Sequence, residues 1–156
     1  MRFGLARADI RAYNYLMNNT NRTEGSKYLE TQNLRATELA KLIRKDLKAL
    51  ALTGVKFSVR CGGSSMHDSI DVEVTAVPSG FEIYTRDRTL ADAPRCWLSD
   101  RANELLETVK AVVNSYNYDG SDLMSDYFDV RFYDHVGFSH ELRQADREAR
   151  DAEWAA

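Results

Sequence analysis

Two alternating segments constrain this chain most: GVKFSVR (Gly54–Arg60) and SIDVEV (Ser69–Val74). Val55, Phe57 and Val59 fall on one side of the first, and Ile70, Val72 and Val74 on one side of the second. That spacing of two predicts a pair of strands, each with one apolar face. A lone hairpin is marginal in water, so the apolar face requires a second layer to cover it. Between the strands, Arg60–Ser69 is rich in glycine and serine and holds Cys61 and His67. A phosphate cradle needs its glycines to lead into a helix, and here they lead into a strand with no Gly-Lys-Ser/Thr. A zinc site from Cys61, His67 and Cys96 lacks any pair at the usual two-to-four spacing. The loop reads as a long hairpin turn.

Amphipathic helices on either side supply the cover. Over 37–50, Leu39, Leu42, Ile43, Leu47 and Leu50 share one face at 100° per residue, while Lys41, Arg44, Lys45 and Lys48 share the other. Thr37 is the expected N-cap, with Glu38 against the positive end of the dipole and Gly54 as the stop. Asp46 falls in the apolar stripe and is expected at the core edge, paired with a base or a backbone N–H. A second helix follows Ser99 or Asp100, with Ala102, Leu105, Leu106, Val109, Val112, Val113 and Tyr116 on one face. Phe81–Thr85 reads as a third strand and Asp126–Tyr133 as a fourth, the latter turning Phe128, Val130 and Phe132 inward. A short helix is expected over about 6–17, followed by a polar connection. Ser139 is expected to cap a last polar helix whose thin stripe is Leu142, Ala145, Ala149 and Ala152.

The order helix–strand–strand–strand–helix–strand predicts an α+β fold, a two-layer sandwich with two amphipathic helices on one face of a four-stranded, largely antiparallel sheet. N-terminal and C-terminal helical extensions flank it. The expected division is an extension at 1–36, the α+β domain at 37–134 and a polar helix at 135–156. The chain has 156 residues, enough to bury a core without a metal or disulfides. Two cysteines and the absence of a signal-like apolar run predict a reducing, cytoplasmic setting with no membrane span. Charge is uneven: residues 1–60 hold 12 Lys/Arg against 5 Asp/Glu, and residues 61–156 hold 9 against 19. The two halves are expected to neutralise each other on folding.

The stretches ELAKLIRKDLKAL, GVKFSVRCGGSS, SIDVEV and VVNSYNYDGSDLMSDYFDVRFY resemble the large polyvalent protein-associated domains of phages and conjugative elements. The resemblance is to the twenty-ninth of that collection and covers about residues 37–134. It implies a domain found within very large proteins or alone, assisting a mobile element in its bacterial host, with no established catalytic residues. TAVPSGFEIYTRDRTLADAPRCW departs from the expected pattern and suggests an added strand and loop.

No nucleophile, base and orienting group are brought together by the sequence, so no enzymatic activity and no cofactor or metal is expected. The acidic run Asp119, Asp122, Asp126, Asp129 and Asp134 lacks the spacing of a calcium loop. A net charge of -3 is too mild for a phosphate-mimicking surface. The expected function is non-catalytic binding of a host or phage protein. Its candidate contact surface is Arg60, Tyr84, Tyr127, Arg131 and Tyr133, with Trp154 of the last helix. Nucleic-acid binding is the alternative. The sheet's outer face is too acidic for it, so the basic side of the first long helix would serve: Arg35, Lys41, Arg44, Lys45 and Lys48.

Overall fold

The computed structural model describes residues 23–64, 67–90, 97–122, 125 and 127–156. The helix expected over 6–17, Cys96 and Asp126 lie outside the described residues. In chain order the elements are β1 (Thr23–Glu24), α1 (Tyr28–Thr31), α2 (Ala36–Ala49), β2 (Lys56–Ser64), β3 (His67–Ala76), a 3-10 turn (Arg88–Leu90), α3 (Asp100–Asn114), β4 (Tyr118–Asp119), β5 (Tyr133–Phe138) and α4 (His140–Ala155). The fold is mixed α and β, with two small sheets among the described residues. One pairs β1 with β4, and the other has three strands in the order β2-β3-β5.

β2 and β3 form the expected hairpin, with Val59 opposite Val72 and Phe57 opposite Val74. Its strands run further than the alternation suggested. Cys61–Ser64 pair with His67–Ile70, so most of the expected long turn is ladder. Gly63 permits this close: its φ is 140°, and a Cβ there would stand 2.4 Å from the His67 carbonyl oxygen.

Beyond β3 the sheet departs from expectation. Phe81–Thr85 does not join it. Tyr84 forms an isolated bridge to Leu98, and the segment pairs locally through Thr85 N–H to Trp97 O and Ser99 N–H to Ile83 O. The β3 edge is instead taken by β5, which lies parallel because the chain first crosses through α3. The fourth strand therefore begins where it was expected to end. Tyr127 and Val130 form single bridges to Asp122 and Asp119, and Phe128, expected inside, is 64% exposed.

One core joins α2, α3 and the three-stranded sheet: Leu39, Ile43 and Leu47, Val109 and Val113, and Ile70, Val72 and Val74 are all essentially buried. Each such side chain contributes about 1.5–3 kcal/mol by leaving water. The N-cap of α2, Arg35, lies two residues before the expected Thr37. The Arg35 N–H donates to Glu38 Oε2 at 3.0 Å, so Glu38 satisfies a free backbone donor. Ser99 caps α3 by accepting from Ala102 N–H at 3.1 Å, and Ser139 caps α4 by accepting from Leu142 N–H at 3.4 Å. Among the described residues no helix is long and apolar enough to cross a membrane.

Candidate functional site

The six expected contact residues do not form one exposed patch. Tyr84 is only 7% exposed, lies beneath Arg147 and Arg150, and donates its backbone N–H to Asp146 Oδ2 at 2.9 Å. The local pairing of 83–85 with 97–99 turned it away from solvent. Arg131 is likewise not available. It donates to Thr31 Oγ1 at 3.0 Å, to the Thr31 carbonyl and to the Tyr116 carbonyl at 2.7 Å, and it lies 5.2 Å from the Tyr28 ring centre. Burial lowers its guanidinium from its ordinary value. Trp154 is half-buried against its own chain, with Arg150 at 4.7 Å from the ring centre. Arg60 is exposed but ion-paired with Glu73 across the hairpin. Tyr127 is exposed on the 118–130 excursion, and Tyr133 is exposed beside His67 in an edge-on contact at 5.4 Å.

On the outer sheet face, His135 Nδ1 stands 3.0 Å from Asp71 Oδ1 next to the Arg60–Glu73 pair. These are cross-strand contacts of a solvated face. Cys61 and His67 lie on opposite faces: Cys61 shares a pair with inward Ile70, and His67 shares the parity of Asp71 and Glu73.

Asp46 has the base expected for it, and a phenol as well. Lys27 donates to its carboxylate, and Tyr116 donates from its hydroxyl at 2.6 Å. Burial pushes the Asp46 carboxyl up, but the bonds from Lys27 and Tyr116 outweigh it and leave the group below its ordinary value. The same bond raises Lys27 against the opposing pull of its own burial. Burial, then Asp46, raises Tyr116. Three groups each held in their resting charge state make a structural latch between Lys27, α2 and the end of α3. No histidine joins them. Asp119 is also used locally, accepting Ser121 N–H at 2.9 Å. Among the described residues no three His, Cys, Asp or Glu side chains group as a metal would require.

The basic side of α2 is placed as the sequence predicted. Arg35, Lys41, Arg44, Lys45 and Lys48 are all exposed. Arg44 donates from Nη2 to the Val59 carbonyl oxygen. Lys41, Lys45 and Lys48 form no ion pair among the described residues.

The sequence reading missed the edge of β2 beside them. Ser139 N–H donates to Val74 O, so Val74, Val72 and Ile70 turn their backbone groups toward β5. Glu73, Asp71 and Ser69 then bond to Ser58, Arg60 and Gly62 of β2. Phe57, Val59, Cys61 and Gly63 must turn theirs outward, and the Arg44 bond to Val59 O confirms the direction. No described backbone group pairs with that edge. A pocket of about 390 Å³ opens next to it, lined by Leu47, Leu52, Val55 and Phe57 with Arg44, Lys48 and Lys56 at the rim. The signal was present in the strand order, which one sequence does not supply.

Residues 34–93 match the family model of large polyvalent protein associated domain 29. The domain-29 match takes in α2, the β2–β3 hairpin and the segment after it. Most of that last segment, read as a departure from the family pattern over 75–97, falls inside the match, which ends at residue 93, whereas α3 and Asp126–Tyr133 fall beyond it. No curated protein and no solved structure matches the chain.

Proposed function

We propose that this chain is a non-catalytic interaction protein of a phage or related mobile element, binding a host or element-encoded protein in the bacterial cytoplasm. The domain-29 match supports the mobile-element setting. The outer edge of β2, which no backbone group pairs with among the described residues and which Arg44 meets at Val59 alone, supports the binding role. A strand of nine residues with outward N–H and C=O groups is a template for another chain, and monomeric proteins ordinarily cover or break such an edge. Among the described residues, no three His, Cys, Asp or Glu side chains group together as a metal would require, and Asp46 and Asp71 are engaged in structural contacts.

Affinity capture from bacterial lysate, with and without nuclease and at low and moderate salt, tests this reading. A single protein retained after nuclease and moderate salt is the expected result. A second reading, nucleic-acid binding, is favoured by the unpaired Lys41, Lys45 and Lys48 beside Arg44. It predicts that captured material vanishes with nuclease, and that Lys→Glu changes at 41, 45 and 48 abolish nucleic-acid retention. That outcome would overturn the protein-binding reading.

A further inference from the structure

We infer that the outer edge of β2 receives an acidic, extended segment of a partner protein as an added strand. This rests on the protein-binding reading and names the site and the chemistry of its partner. The edge offers Phe57, Val59, Cys61 and Gly63 backbone groups in alternate positions, the spacing a fourth strand would use. Side chains of the added strand that turn toward the helices meet the pocket floored by Leu47, Leu52, Val55 and Phe57, so an apolar residue fits there. Those that turn to the outer face meet Lys56, and Arg60 where it is shared with Glu73. At the rim stand Arg44 and Lys48. Opposite charges across neighbouring strands are favourable and like charges are not, so alternating apolar and acidic residues complement the edge at both faces.

Charge also decides between occupants. A second copy of β2 laid on this edge would bring Lys56 and Arg60 toward their own images. The chain's own residues 1–22 carry Arg2, Arg7, Arg11 and Arg22 against Asp9 alone, which is the wrong sign for a basic rim. Arg44 now occupies the Val59 carbonyl. An incoming N–H replaces it there, freeing the guanidinium to meet an acidic side chain of the partner.

The test uses the full chain and three terminally blocked octapeptides: alternating Val and Glu, alternating Val and Lys, and the Val/Glu sequence with a central proline. Affinity is read by fluorescence polarisation and contact by amide hydrogen exchange. The Val/Glu peptide should bind and slow exchange at Phe57, Val59, Cys61 and Gly63, while Ser58, Arg60 and Gly62 are already slow in the free chain. Lys48→Glu and Lys56→Glu together should weaken it about tenfold or more. Cys61→Pro should do the same while leaving β2–β3 paired, because the removed N–H faces outward. Should that variant fail to fold, the charge-reversed chain still decides. Equal binding of the Val/Lys peptide would overturn the acidic assignment, and binding without protection of the odd-numbered amides would overturn the strand. Slow odd-numbered amides in the free chain would overturn it too, in favour of a second copy if the protection grows with concentration and of the chain's own segment if it does not. If the peptides fail but lysate capture still retains a protein after nuclease, this site is wrong and the protein-binding reading stands.

Discussion

Asp46 interrupts an apolar stripe, and the sequence places it at the core edge with a base. The identity of the partners depends on contacts from Lys27, 19 residues away, and Tyr116, 70 residues away, which no local pattern encodes. Its carboxyl is held below its ordinary value, so the stability it contributes is fully present above the unfolded pKa of about 4 and is lost as pH falls through the folded value. Lys27 and Tyr116 are held above theirs, so their contributions are present below about pH 10 and are lost as pH rises through the folded values. Asp46→Asn should cost about 1 kcal/mol at pH 7, discounted because the Lys27 side chain is 42% exposed. Urea unfolding at pH 7 and pH 3 checks this: the deficit should shrink at pH 3, and an equal deficit at both would assign it to packing. Ala51, just after α2, has φ 50°, a left-handed conformation that costs a residue with a Cβ about 1–2 kcal/mol. Ala51→Gly should therefore stabilise the chain by about 1 kcal/mol, read as a higher urea midpoint with an unchanged slope. Gly54, the expected stop, lies three residues too late to cap α2.

Among the elements, α2, α3 and the hairpin were legible because each presents a continuous apolar face to one shared core. α4 was legible in extent and not in orientation. Its alanines at 145, 149 and 152 are exposed, and it docks through Leu142, Asp146, Arg150 and Trp154, four residues apart each time. A stripe that is mostly polar carries no hydrophobic period, so the sequence shows a helix with nothing to hold it. Asp146 holds it by accepting from Arg86 at 2.9 Å and from the Tyr84 N–H, with its side chain only 9% exposed. Asp146→Ala would leave the mostly buried Arg86 short of its closest carboxylate, at a cost of about 3 kcal/mol. Asp146→Asn keeps an oxygen for the Tyr84 N–H and should recover part of it. The expected readout is a lower Tm with faster amide exchange over 140–155. A loss below about 0.5 kcal/mol would mean that water, Glu82 or Glu153 serves Arg86 as well.

For the whole molecule, the sequence predicted two oppositely charged halves that neutralise each other. Arg60–Glu73 does join them, but Lys27–Asp46 lies within the first and Arg86–Asp146 within the second. Lys41, Lys45 and Lys48 on the basic side of α2 are left without an ion pair among the described residues. Arg131 ties residues 23–31 to the later half, alongside the β1–β4 pairing. Its guanidinium links α1 at Thr31 to the end of α3 at Tyr116, beside the Tyr28–Tyr118 stack at 4.9 Å. Gly25 N–H to Asn117 O and Lys27 N–H to Ser115 O complete that seam. Strand alternation placed Arg131 on an outer face because the sequence cannot show that the sheet strand starts only at Tyr133. Arg131→Ala should cost about 2–3 kcal/mol through the carbonyls left without a donor. Arg131→Lys should recover little, since an ammonium cannot reach both carbonyls and lie flat on Tyr28. Exchange at Gly25 and Lys27 should quicken in both variants while Val72 and Val74 stay protected. Equal loosening of seam and sheet would show instead that Arg131 supports the core as one cooperative unit, with the N-terminal seam no weaker than the hairpin it borders.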